Sequence, residues 1–248
     1  MPSQRPQYHR RRHTHGGSGV LRAGLASLAL TLAAIGPVHA ELPLVSETAD
    51  SPASGECQVE MALLRTTALG QSRLHGQQAY ASCGTPWNGQ LGLLIAREHG
   101  GGGPRATLLG LHGKSTLVAP DETRTGWGIA YGITSDHLSG EGWQHGSSHL
   151  TLVATRRLGA ALIGHANLGW QRAQRDHSST TVWSLGMETE GGTWGWAADV
   201  YGDDESRPWI SVGVVLWPND RLALSLNHSR QFDAQRATQW TLGSRIKF

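Results

Sequence analysis

The run Ile210-Ser-Val-Gly-Val-Val-Leu216, the break Pro218-Asn-Asp220 and the run Leu222-Ala-Leu-Ser-Leu-Asn227 decide how this chain folds. In the first run Ile210, Val212, Val214 and Leu216 alternate with Ser211, Gly213 and Val215. In the second, Leu222, Leu224 and Leu226 alternate with Ala223, Ser225 and Asn227. Period-two alternation on both sides of a Pro-Asn-Asp break reads as a β-hairpin. The chemistry of the two faces says what surrounds it. A strand of a soluble sandwich buries its bulky apolar face and wets the other with Lys, Glu and Arg. Here the second face is mostly Gly, Ala, Ser and Asn, which suits a confined interior. The Leu, Ile and Val face suits lipid.

The same pattern recurs through most of the chain. Leu91, Leu93 and Ile95 alternate with Gln90, Gly92 and Leu94, and Trp194, Trp196, Ala198 and Val200 with Gly195, Ala197 and Asp199. Candidate strands fall at 57–66, 77–83, 89–98, 105–115, 126–135, 148–158, 161–172, 180–189, 193–201, 208–217, 221–230 and 237–248. Most are about 9–12 residues, the length of a tilted membrane strand and longer than is usual in globular sheets. No segment has a convincing helical period. Backbone groups in lipid must be paired within the protein, so a spanning sheet must close. The expected fold is all-β: a closed antiparallel up-and-down transmembrane β-barrel of about 12 strands, with ten as the alternative count. Trp127, Trp170, Trp209, Trp217 and Trp240 fall near proposed strand ends, where aromatic belts form. Connections alternate in length, the longer ones being Thr67–Gly76, His99–Pro104, Asp136–Ser147, Ala173–Ser179, Gly202–Arg207 and Gln231–Arg236. Thr116–Thr125 is the exception among the tighter turns. Short turns belong to the periplasmic side, so both termini are expected there.

Composition narrows the class further. Only 16% of the 248 residues are charged and only Lys114 and Lys247 are Lys, which is sparse for a wet surface. A mean hydropathy of −0.32 excludes a bundle of membrane helices. The first forty residues hold five arginines and no acid, then the apolar stretch Ala23–Ile35, then Gly36-Pro-Val-His-Ala40. That is the outline of a secretory signal peptide over residues 1–40, cleaved after Ala40. A mature chain from Glu41 holds 16 Lys and Arg against 19 Asp and Glu, a net charge of −3. No basic stripe remains for nucleic acid. Residues 41–56, with Ser51-Pro-Ala-Ser-Gly55, show no periodicity and read as a flexible periplasmic tail, or as a small plug folded into the lumen. The barrel is expected over 57–248.

The chain ends Leu242-Gly-Ser-Arg-Ile-Lys-Phe248. An alternating final strand closed by an aromatic resembles the last strand of Gram-negative outer-membrane β-barrels. The resemblance also covers the leader and the strand pattern. It implies an outer-membrane location among outer-membrane lipid. It also implies that Phe248 carries the signal read by the barrel-insertion machinery.

Candidate site residues follow from strand parity. Glu60, His112, Lys114, Arg157, His165, Glu188, Asp199, Arg245 and Lys247 are expected to face the interior. Buried charge is costly unless paired or wet, so the lumen is either water-filled or crossed by ion pairs. Cys57 and Cys83 lie at the same end of the first hairpin, and the compartment is oxidising, so a disulfide is expected. His137, His145 and His149 lie in or beside the longest outside loop, at spacings that match no compact metal motif, and read as solvated. His228 and Ser229 are adjacent, so in a strand they point to opposite faces and cannot form a catalytic relay. No enzyme, metal site or cofactor is expected. Two functions remain: a passive channel for small polar solutes, or a closed-lumen structural or surface-interaction barrel acting through its outer loops.

Overall fold

The structure, a computed structural model, describes residues 44–69, 73–100, 105–175, 177–232 and 237–248. The expected leader and its cleavage site lie outside the described residues. Twelve strands follow one another: β1 (Cys57–Thr67), β2 (Leu74–Thr85), β3 (Gly89–Gly100), β4 (Ala106–Val118), β5 (Gly126–Leu138), β6 (Trp143–Arg157), β7 (Leu162–Ala173), β8 (Ser179–Thr189), β9 (Trp194–Asp203), β10 (Trp209–Asn219), β11 (Leu222–Gln231) and β12 (Thr238–Lys247). Each pairs with its neighbours in sequence, and β1 pairs antiparallel with β12 to close the barrel. Closure pairs the backbone edges that lipid could not satisfy.

The alternation sorts residues as the lipid rule requires. Leu63, Leu93, Leu111, Ile133, Leu168, Leu185, Val212 and Leu242 are exposed on the outside, whereas Ala62, Leu94, Ala130, Val153, Ala197 and Val215 are buried on the inside. Across the closure Leu63 stands opposite Leu242 and Glu60 opposite Arg245, so one register serves both faces. At the end that bears the termini, Cys57 opposes Cys83 and the two form a disulfide. Phe248 exchanges backbone hydrogen bonds with Cys57 at the same rim, and its ring is exposed.

Three expectations about position are corrected. The long outside connection of 136–147 is mostly strand, since β5 runs to Leu138 and β6 starts at Trp143. A bulge between Thr134 and Ser135 hides this in the sequence: Thr134 opposes Ser147 and Ser135 opposes His145, so the alternation slips at Gly146. The other connections at that end are also short, such as 174–178 and 204–208. Second, Trp209 and Trp217 do not join an outer belt. They take the inward parity of Ser211 and Val215: Trp209 stacks on Tyr201, and the Trp217 ring lies over Gly195. Trp127, Trp170 and Trp240 are exposed on the outside. Third, the segment before β1 is not a free tail. Leu44, Ser46, Glu47, Thr48 and Ala49 are buried inside the barrel.

The exceptional turn at 119–125 has its own local support. Asp121 accepts from the backbone N–H of Thr123 (2.9 Å) and of Arg124 (2.8 Å), which holds its carboxyl below the usual range. This Asx-type arrangement caps a wider turn without apolar packing.

Candidate luminal site

The inner wall is built from alternate positions of every strand, and its side chains converge on the segment 44–53. This segment runs from mid-barrel down to the rim, where Ser54 bridges Gly84 of β2. At its inner end Asp199 of β9 accepts from the N–H of Val45 (3.1 Å), the N–H of Ser46 (3.0 Å) and the Ser46 hydroxyl (2.6 Å). Three donors on one carboxylate are what a buried anion needs in place of water. Below it, Asn167 of β7 brackets Glu47. In the amide orientation that satisfies both ends, it donates to the Glu47 carbonyl (3.2 Å) and accepts from the Glu47 N–H (2.6 Å). Lys114 of β4 donates to the Thr48 hydroxyl (3.3 Å) and stands 3.7 Å from the Glu47 carboxylate. The Ala49 N–H donates to Thr155 Oγ1 (2.8 Å), and the Ala49 carbonyl accepts from Thr116 (2.8 Å).

Thr155 links this segment to a second pair. Its hydroxyl already accepts from Ala49, so its own proton is available to His165 Nδ1, 3.1 Å away. The other ring nitrogen, Nε2, faces Glu188 at 3.4 Å. Small residues make the room. A Cβ on Gly186 would stand 2.6 Å from both Asp199 Oδ1 and Ser46 Oγ, and one on Gly84 would strike the carbonyls of Pro52 and Ala53. These glycines fit the luminal segment against the wall.

Other positions of the inner wall carry separate contacts. Gln58 donates to Glu60 (3.5 Å), and Arg245 lies 4.0 Å from the same carboxylate. Gln90 donates to Tyr80 (3.2 Å) and Ser82 (2.9 Å). His112 stacks on His149 with ring centroids 5.3 Å apart and meets the edge of Tyr80. A side chain on Gly110 or Gly132 would overlap the His112 ring. Near the far rim Arg175 donates to Asp136 (2.5 Å) and Glu141 (2.7 Å).

Of the sequence-derived residues, Lys114, His165, Glu188 and Asp199 thus gather around one segment, and Glu60 meets Arg245. Arg157 sits at the rim in an ion pair with Glu190 (2.5 Å), and Lys247 is exposed at the rim opposite Gln58. His112 meets a partner the sequence placed elsewhere. His149 is not a solvated loop residue but a β6 side chain on the inner face. His137 instead meets Trp143, and His145 contacts Ser147 and Ser148. His228 rests on Trp240 outside while Ser229 is buried inside. Among the described residues no group of three or more His, Cys, Asp or Glu is arranged to hold a metal ion. Ser46, Glu47, Thr48, Thr155 and Asn167 were missed as site residues. The only sequence signal for the first three was the absence of periodicity over 41–56.

Solved outer-membrane barrels share this architecture. An outer membrane channel from Pseudomonas putida F1 is 9% identical, with 80% of this chain and 97% of that chain covered, at a TM-score of 0.57. The KdgM porin in complex with disordered oligogalacturonate is 9% identical over 76% of this chain and 99% of that chain, at a TM-score of 0.54. The translocator domain of the autotransporter NalP from Neisseria meningitidis is 13% identical over 93% of this chain and 98% of that chain, at a TM-score of 0.50. At such identities the likeness is one of fold, and the fold serves different tasks in these proteins. No curated relative matches the chain. A family model does match, over residues 28–248, and the chain belongs to that family, described as Uncharacterised conserved protein UCP029691.

Proposed function

We propose that this protein is an outer-membrane channel for small polar solutes, narrowed on its periplasmic side by residues 44–53 of its own chain. The observation that carries the reading is the way this segment is held. It meets the wall through hydrogen bonds to Asp199, Asn167, Lys114, Thr155 and Thr116. Water can replace each of those bonds, whereas apolar packing would have sealed the lumen permanently. Sequence-derived luminal charges stand beside partners: Lys114 by Glu47, Arg245 by Glu60 and, at the rim, Arg157 by Glu190. Such pairing favours weak ion selectivity and neutral or zwitterionic solutes. The export signal over 1–40, its cleavage after Ala40, and insertion through the terminal Phe248 belong to the same reading. So do the absence of catalysis and of any cofactor.

The alternative is a closed barrel acting through its outer loops. It is favoured by the occupied lumen and disfavoured by the short connections 139–142, 174–178 and 204–208. Planar-bilayer recording separates the two. The mature chain is expected to conduct in small steps, and a chain lacking 44–53 in larger ones. Silence from both chains, with each folded by heat-modifiable mobility, overturns the channel.

A further inference from the structure

The outer face of β1–β4 departs from the rest of the lipid-facing wall in two ways. The first is a groove. Ala79 and Ala81 are the outward residues at the centre of β2, and they lie between larger neighbours on either side. With Val59, Leu93, Ile95 and Leu109 they line an apolar cavity of about 610 Å³. Its lining is mostly alkyl, continues over Leu111 and Ile133 and ends at Thr134 and Ser135 of β5, and the outward parity of Ala79 and Ala81 opens it to the bilayer.

The second is charge. Among the described residues, no Asp or Glu occupies an outward-facing position of any strand. Cations do: Arg156, Arg172 and Arg230 stand apart on β6, β7 and β11, and four others cluster at the end of the barrel away from the termini, directly beyond the groove. Arg65, His75, Arg97 and His99 are all exposed. Arg65 stands opposite His75, and His75 opposite His99, with the two rings stacked 5.5 Å apart. Arg97 is two residues past Ile95 on the same strand, about 7 Å along it at the usual rise. The greasy slot and the cationic cluster therefore share strands and follow each other within the length of one lipid.

We infer that this face binds one phosphate-bearing lipid of the surrounding leaflet, an acyl chain in the Ala79–Ala81 groove and its phosphate among Arg65, His75, Arg97 and His99. Arg suits phosphate because its planar fork offers two parallel donors. Basic side chains at the headgroup level draw anionic lipid over a short range. The inference rests on the membrane-barrel fold and not on whether the lumen conducts, so a silent bilayer leaves it standing.

The test is native mass spectrometry of the mature protein in a zwitterionic detergent, titrated with bisphosphorylated lipid A and with the same lipid dephosphorylated. The expected result is a single retained adduct with the phosphorylated form alone. The double variant R65Q/R97Q should hold it roughly 30-fold less well, at the usual strength of two surface cations. R156Q, at the opposite rim, should bind as the parent does. A second variant, A79L/A81L, fills the groove without touching charge and should also lower retention. Each variant is first checked for a folded barrel by its heat-modifiable shift. Equal retention of both lipids, unchanged binding by R65Q/R97Q, or a dimer sealed through this face would overturn the proposal.

Discussion

The outer and inner faces of the same twelve strands obey different rules. Outside, every position meets the same solvent, so the requirement is a chemical one at each residue: Leu224 is apolar, 40% exposed and still correctly placed. Inside, the requirement is complementarity to whatever stands opposite. Gly132 makes room for the His112 ring, Gly186 for Ser46, and Gly84 for the backbone of 52–53. The same small residue would equally suit water. The outer face is a code in residue type, and the inner face is a code in shape.

That contrast can be broken most severely at the end of β12. Deleting Phe248 removes an exposed aromatic at the rim that bears the termini and the backbone pair with Cys57. The assembled barrel in the outer membrane should fall far more than synthesis does, measured by fractionation against pulse labelling. Equal falls would mean that the terminal aromatic has no part in assembly. Within the wall, Leu224→Arg puts a charge in lipid and should cost about 2–4 kcal/mol in a reversible urea titration in vesicles. Ser225→Arg, one residue along and turned to the lumen, should cost less if the channel reading holds. Matching losses would erase the difference between the faces.

The closing end of the first hairpin gives a comparable effect. Replacing both Cys57 and Cys83 by Ala should lower stability by about 3 kcal/mol, by the entropy of the loop they close. Labelling the unfolded, unreduced parent with a thiol reagent should find no reactive site. The smallest expected effect is on the inner face. Asp199→Ala takes the acceptor from three donors of the luminal segment. A loss of about 2 kcal/mol is the usual scale for hydrogen bonds to a charged group. The barrel should stay folded while cleavage within 44–53 by an added protease becomes faster. Unchanged cleavage would show that the segment is anchored by something other than Asp199.

Most strand positions were legible because lipid imposes a period on them. β3, β5, β7 and β12 were expected at 89–98, 126–135, 161–172 and 237–248, and the structure places them at Gly89–Gly100, Gly126–Leu138, Leu162–Ala173 and Thr238–Lys247. The misplaced start of β6 has a physical cause, the bulge at Thr134/Ser135, which breaks the alternation where two strands continue. Trp209 and Trp217 misled for a related reason. A large aromatic near a strand end suits a lipid belt and a luminal rim alike, and only the parity of β10 separates them. The Cys57–Cys83 pairing was legible because a hairpin of known parity puts its two ends together.

A closed membrane barrel, its two faces and its one disulfide could be read from the chain alone, because they follow from local alternation and from the rule that lipid leaves no backbone group unpaired. Tertiary structure alone decided what the lumen contains. Ser46 meets Asp199 across 153 residues of chain, and Ala49 meets Thr155 across 106. No period connects such partners. A segment that pairs with a wall instead of forming part of it needs only donors and acceptors in the right places, and those places exist only once the strands have closed around it.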